Sequence, residues 1–233
     1  MNAPERFATA QDPAAPAAEI SAADRVLQVL AVLACADRAL SAADLMQRTG
    51  LPRSSLYRQL ARGFDDGSHL VQVARPILVQ LTEQTRESAG LLVAANGQAV
   101  CLDMVESPQS LRCSFVKGSS VPLCVGASAK CVLAHLPAVQ RDALLSQRHG
   151  RDTAAYHEAA AELVALRERG YITTVGEVDA GVWGCSTPLF GSSRRAVAAI
   201  TLMAPHQRVL QQEAQLVQAT LAAAARISRI LAE

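Results

Sequence analysis

Residues 49–60, TGLPRSSLYRQL, gather Arg53, Ser54, Ser55, Tyr57 and Arg58 behind a Gly-Leu-Pro turn. A guanidinium reads a guanine edge through two parallel hydrogen bonds, and hydroxyls hold phosphate oxygens, so the chemistry open to this set is recognition of a nucleic-acid duplex. A good bidentate contact is worth about 1–3 kcal/mol of discrimination against the wrong base. Leu56 and Leu60, four residues apart, would turn the other side of the same helix inward. Arg48 and Arg62 flank the stretch, and Asp44 is the sole acid between Ser41 and Arg62. A solvated helix face with chance arginines would look the same in composition, so the preceding elements decide.

Nucleophilic and metal chemistry finds less support. The six cysteines, Cys35, Cys101, Cys113, Cys124, Cys131 and Cys185, form no Cys-x-x-Cys pair, and the histidines have no His-x-x-x-His spacing. Neither a zinc site nor a redox pair is expected, and the thiols read as buried and reduced. Cys185 or Cys101 with His135, His149 or His157 as base is a remote enzymatic alternative, because such partners meet only in the fold. There is no Gly-x-Ser-x-Gly elbow, phosphate loop or paired carboxylate motif beside them. The sequence therefore predicts no catalytic residue, cofactor or metal.

The elements that must position Arg53 to Arg58 are legible upstream. SAAD occurs at 21–24 and again at 41–44, each time before apolar residues at helical spacing. In each copy the serine can accept from an amide three residues on while the aspartate sits in the positive first turn, which predicts two helix starts. The first helix, Ala22 to Ala34, is apolar on more than one face. The second is short and stops at Gly50; Pro52 suits the first position of a third. A long helix, a short helix, a tight turn and a helix opening on polar donors form the helix-turn-helix arrangement, whose last helix enters the major groove.

Around this unit the chain divides simply. Residues 1–19, with Pro4, Pro13 and Pro16 among alanines, read as a disordered arm; 20–62 are the helix-turn-helix unit, 63–72 a linker and 73–233 a second domain. Net charge is +1 and half the residues are apolar, so two cores can form and any basic surface must be local. No stretch is long and apolar enough to suggest a membrane partner, and no targeting segment is evident, so a cytoplasmic protein is expected.

In the second domain, LVQVARPILVQLTEQTRES reads as an amphipathic helix with Pro76 in its first turns. GLLVAA and QAVCLDMV flank Asn96-Gly97, a hairpin signal, and LRCSFV is expected to add a third strand. Helices over ASAKCVLAHL and AAAELVALRERG follow, then strands in YITTVGEV, GVWGCSTPLF and AVAAITLMA, and a long C-terminal helix. Strands on both sides of a helical middle predict an α+β domain around a six-stranded antiparallel sheet.

From Ile20 to Leu60 the chain resembles the DNA-binding domain of IclR-type transcriptional regulators, in which GLP-[KR]-S-[ST]-x-Y-R-x-L opens the recognition helix. VPLCVGASAKCVLAHLP, LRERGYITTVGEVDAGVWGCSTPLF and AVAAITLMAP resemble blocks of that family's GAF-like effector domain, in the same order. The resemblance implies double-stranded operator DNA, a small organic acid effector, and a homodimer or tetramer. It also implies a turn, a two-stranded wing and a linker helix, roughly 25 residues in all, between the recognition helix and ARP. Here ARGFDDGSHLVQVARP follows Leu60 almost directly. The expectation is that the wing has been left out of the sequence as written. If the chain truly lacks one, a ligand sensor with impaired or no DNA binding becomes the alternative.

The resemblance places a ligand pocket between the sheet and VPLCVGASAKCVLA, closed by TTVGEVDAGVWGCS, and so nominates Cys124, Gly126, Ala127, Ser128, Thr174, Trp183, Gly184, Cys185 and Ser186. Small residues at a helix start leave amides free for a carboxylate, though they equally suit tight packing. Thr174 stands where the family has an acid and Gly184 where it has a cysteine. With Trp183 expected nearby, such a pocket could hold a larger, flatter acid than a two- or three-carbon keto acid, an aromatic carboxylate for instance.

Overall fold

The structure is a computed structural model that describes Val29, Val32 and residues 40–56, 69–95, 97–192 and 196–233. The first SAAD start, most of the first helix, Tyr57, Arg58, Arg62 and Asn96 lie outside the described residues. The second SAAD start forms as the sequence dictates. Helix α1 (Ala42–Thr49) begins with Ser41 Oγ accepting from the Asp44 amide at 3.1 Å and Asp44 Oδ2 accepting from the Ser41 amide at 2.9 Å. It ends on Gly50 at φ +67°, a left-handed turn that glycine takes without strain. The recognition helix is described over 53–56. Pro52 precedes it, its carbonyl accepting from the Leu56 amide at 2.9 Å, so the proline stands just before the first helical residue rather than in it. Leu45, Leu51 and Leu56 bury against Val29 and against Val100 at the end of the second domain's first hairpin. Arg53 and Ser54 are exposed and Ser55 half-buried.

In the sequence eight residues stand between Leu60 and His69, fewer than the wing and linker helix that the resemblance implies, and they lie outside the described residues. Helix α2 (His69–Thr85) begins within the stretch read as a linker and carries Pro76 two turns in. Pro76 lies on the exposed side of the helix, while Val71, Ala74, Ile77, Leu78 and Leu81 form its buried stripe.

The second domain is built on strands β1 (Ser88–Ala95), β2 (Gln98–Val105), β3 (Ser120–Pro122), β4 (Ile172–Val175), β5 (Val182–Phe190) and β6 (Ala196–Pro205). They form one antiparallel sheet in the order β3-β2-β1-β6-β5-β4. The β1–β2 hairpin turns through Gly97 at φ +75°. LRCSFV is not a strand. Leu111 and Val116 point to solvent, Arg112 and Ser114 are held by Glu106, and the third strand is instead the short β3.

Between β3 and β4 lie α3 (Ala127–Ala134), α4 (Ala138–His149) and α5 (Ala154–Arg169), one helix more than the sequence reading distinguished. After β6 come the single turn α6 (His206–Val209) and the long α7 (Glu213–Ala232). Alternation along the strands sorts side chains into two cores. Leu91, Leu102, Ile200 and Leu202 pack beneath α2 and α7; Leu92, Cys101, Ile172 and Ala199 pack beneath α3 to α5. Helix α3 is buried along its length apart from Lys130. Because it lies against β5 and β6, its first residues end directly over the sheet.

Candidate effector site

Where α3 begins, a cavity of about 290 Å³ opens between the helix and the sheet. Its floor is Gly184 of β5 with Thr201 and Met203 of β6, and Gly126, Ala127 and Ser128 form one wall. Register explains the floor: Gly184 pairs with Met203 and Ser186 with Thr201, so alternate residues of adjacent strands face the same way. Thr174 of β4 and the turn carrying Glu177, Val178 and Asp179 close one side, and the loop around Arg112 to Phe115 closes the other. Glycine at 184 leaves the floor open; a Cβ there would stand 3.5 Å from Ala127 Cβ and 3.9 Å from Thr174 Oγ1.

The nominated residues divide between the two faces of the sheet. Gly126, Ala127, Ser128, Thr174 and Gly184 line the cavity. Ser186 faces the same side of the sheet but is buried beyond the cavity, 2.5 Å from the Thr201 hydroxyl. Trp183 and Cys185 belong to the opposite core, because neighbours of Gly184 on a strand must point the other way. The Trp183 indole N–H donates to Glu213 of α7 at 3.0 Å. Cys124 lies in a second depression between α3, α4 and α5, with Lys130, His149 and Glu162. Trp183, Cys185 and Cys124 therefore do not line this cavity. Thr201 and Met203 escaped sequence reading, although the i, i+2 spacing within AVAAITLMA carries them to one face. The Arg112 to Phe115 wall escaped it because that segment was read as a strand.

The amides at the start of α3 are not vacant. The Gly126 amide donates to Glu177 Oε2 at 2.9 Å and the Ala127 amide to Thr174 Oγ1 at 3.1 Å. Gly126 sits at φ +83°, and a Cβ on it would meet Val178 Cγ2 at 2.6 Å, so the β4–β5 turn rests directly on the helix start. Lys130, one turn into α3, donates to Glu177 Oε1 at 2.7 Å and to Glu162 Oε1 at 3.0 Å. Burial draws its ammonium toward neutrality, but the bonds to Glu177 and Glu162 outweigh this and raise its pKa. On the far wall Arg112 Nε donates to Glu106 at 2.8 Å, which holds that exposed carboxyl below its ordinary range. Arg208 forks onto the buried Glu87 at 2.7 Å and donates to the Leu111 carbonyl at 2.8 Å, pinning the loop's base.

The thiols are unsuited to attack. Burial pushes Cys101 and Cys185 up to about 12 and raises Cys131 further still. Such groups carry almost no thiolate near neutral pH. The cavity offers the hydroxyls of Ser114, Ser128, Thr174 and Thr201 beside the apolar surfaces of Phe115 and Met203, which is equipment for holding a small molecule.

Comparison with known proteins gives a consistent result. Residues 22–62 match the model of the IclR helix-turn-helix domain and residues 66–229 that of the bacterial transcriptional regulator IclR C-terminal domain. The chain is 29% identical over 225 residues to the probable transcriptional regulator SauR of Cupriavidus necator, covering 83% of this chain and 89% of that one. The C-terminal domain of a putative transcriptional regulator from Vibrio cholerae superposes with a TM-score of 0.64 at 33% identity, covering 70% of this chain and 99% of that one. An IclR homolog from Microbacterium hydrocarbonoxydans, solved as a complex with 4-hydroxybenzoate, superposes with a TM-score of 0.63 at 22% identity, covering 91% of this chain and 99% of that one. Among the described residues no helix is long and apolar enough to cross a membrane.

Proposed function

The chain belongs to the IclR family of DNA-binding transcriptional regulators, and on that premise we propose that its α3 cavity senses a small organic acid, an aromatic carboxylate in particular. The observation that carries this reading is a floor left open by Gly184 beside a helix start whose Gly126 amide is already matched to a carboxylate, that of Glu177. A carboxylate is the natural partner of a helix N-terminus, and a flat ring can lie on a surface from which no side chain rises. The volume, about 290 Å³, is at the small end of ligand pockets. The complex of a protein of the same fold with 4-hydroxybenzoate supports the aromatic form.

Calorimetric titration with benzoate, 4-hydroxybenzoate, glyoxylate and pyruvate tests the reading. Tighter binding of the aromatic acids is expected. Tighter binding of glyoxylate or pyruvate overturns the aromatic preference, and no binding of any of the four overturns the acid.

On DNA, Arg53, Ser54, Ser55, Tyr57 and Arg58 are the residues we assign to groove contacts, in a homodimer or tetramer acting in the cytoplasm on half-sites about 10 bp apart or a multiple of that. The eight-residue connection between Leu60 and His69 favours one second reading, a sensor whose DNA binding is weakened by the lack of a wing. A gel shift at rising salt separates them: a DNA reader holds its operator at low salt and loses it steeply.

A further inference from the structure

We propose that Glu177 is a built-in carboxylate that occupies the acid position of this cavity, and that an incoming acid binds by taking its place on the Gly126 amide and Lys130, freeing the turn between Gly176 and Gly181. This rests on the reading of the cavity as an acid site and adds how that site is regulated.

Glu177 already makes the contacts an organic carboxylate would seek. One of its oxygens accepts from the Gly126 amide at 2.9 Å and the other from Lys130 Nζ at 2.7 Å, across 51 and 47 residues of chain. The group is nonetheless displaceable. Its side chain keeps 32% of its surface in water, so leaving the site buries no orphaned charge. Lys130 retains Glu162 at 2.9 Å, and the exchange replaces one carboxylate by another, leaving the local charge unchanged.

The turn is built to release as a unit. It begins at Gly176 (φ +70°) and ends at Gly181 (φ +77°), two positions where only glycine turns the chain this way at little cost. The Gly176 amide bonds to the Val182 carbonyl at 2.8 Å, and the His206 amide holds the Gly181 carbonyl at 2.7 Å, so both ends are anchored; the span between them is held by the Val182 amide on the Asp179 carbonyl at 3.1 Å, by Glu177, and by Val178 against Gly126. An internal occupant lowers apparent affinity by the fraction of time the site is open. Glu177 therefore sets the effector concentration to which the protein responds.

The experiment titrates the full chain and its Glu177→Gln and Glu177→Ala variants with benzoate, 4-hydroxybenzoate, glyoxylate and pyruvate, alongside amide hydrogen exchange. Both variants should bind the preferred acid roughly five- to thirtyfold more tightly than the parent, the range a closed site of modest stability allows. Saturating acid should speed exchange across 176–181 in the parent, and Glu177→Ala should show that faster exchange without acid. Equal or weaker binding by the variants overturns the displacement while leaving the acid site standing. Absence of binding by every protein to all four acids overturns the site reading and the inference with it.

Discussion

Trp183 and Gly184 are consecutive on β5 and serve opposite layers: the Trp183 indole donates to Glu213 of α7 at 3.0 Å, while Gly184 lies bare in the cavity floor below Ala127. The sequence contains one tryptophan, fully buried in the core that α2 and α7 cover. Its emission should be that of a shielded indole, resistant to acrylamide quenching. Filling the cavity should alter it through the shared backbone of β5. Trp183→Phe should abolish the signal and leave calorimetric affinity within about twofold, because the indole does not line the site.

Gly184→Val should keep the fold, since its Cβ meets only ordinary contacts at 3.5 and 3.9 Å, yet raise an isopropyl group from the floor. Affinity for 4-hydroxybenzoate should fall by at least about tenfold, and that for glyoxylate much less. Titration of both acids measures the ratio.

Arg53 is exposed at the start of the recognition helix. Arg53→Ala should cost about 1–3 kcal/mol on the preferred operator and relax the choice of base at one position. Competition gel shifts against single-base operator variants read this out; a uniform loss on all sequences would mean that Arg53 holds only phosphate.

Cys101 and Cys185, with thiols pushed up to about 12, and the more strongly raised Cys131 should resist iodoacetamide in the folded protein. At about pH 8 they should react at least about a thousandfold more slowly than after unfolding. Cys113 and Cys124 are half-buried and should label first among the described cysteines, which mass spectrometry of digests can follow.

Burial lowers the pKa of His135, against the hydrogen bond between its Nδ1 and the Cys131 carbonyl, and Arg167 adds to the lowering. The unfolded chain then takes up this proton at higher pH than the folded one. The stability due to neutral His135 is complete above about pH 6.5 and is lost as pH falls through the lower folded value. Urea melts at about pH 7.5 and about pH 5.5 should show a larger loss for the parent than for His135→Gln.

The parts of this molecule that sequence reading recovered are those whose causes are local. Ser41 and Asp44 cap α1 three residues apart, and Gly97 turns the hairpin between strands whose apolar residues announce them. The cavity needed non-local information. Gly126, Ala127 and Gly184 come from separate segments and were reachable only through the family pattern, while Trp183, the neighbour of Gly184 on β5, faces the other core. Glu177 was invisible as a partner of Gly126 because nothing local specifies a contact across 51 residues. Residues 111–116 misled through Phe115 and Val116: the structure sets Phe115 against the cavity and Val116 in solvent, and neither pairs with a neighbouring strand.

The short connection between Leu60 and His69 sets a mechanical limit on the whole protein. Nine peptide steps, even drawn out straight, reach no more than about 30 Å, so the DNA-reading head is on a tight leash. A longer tether would let the head range farther from the sensor.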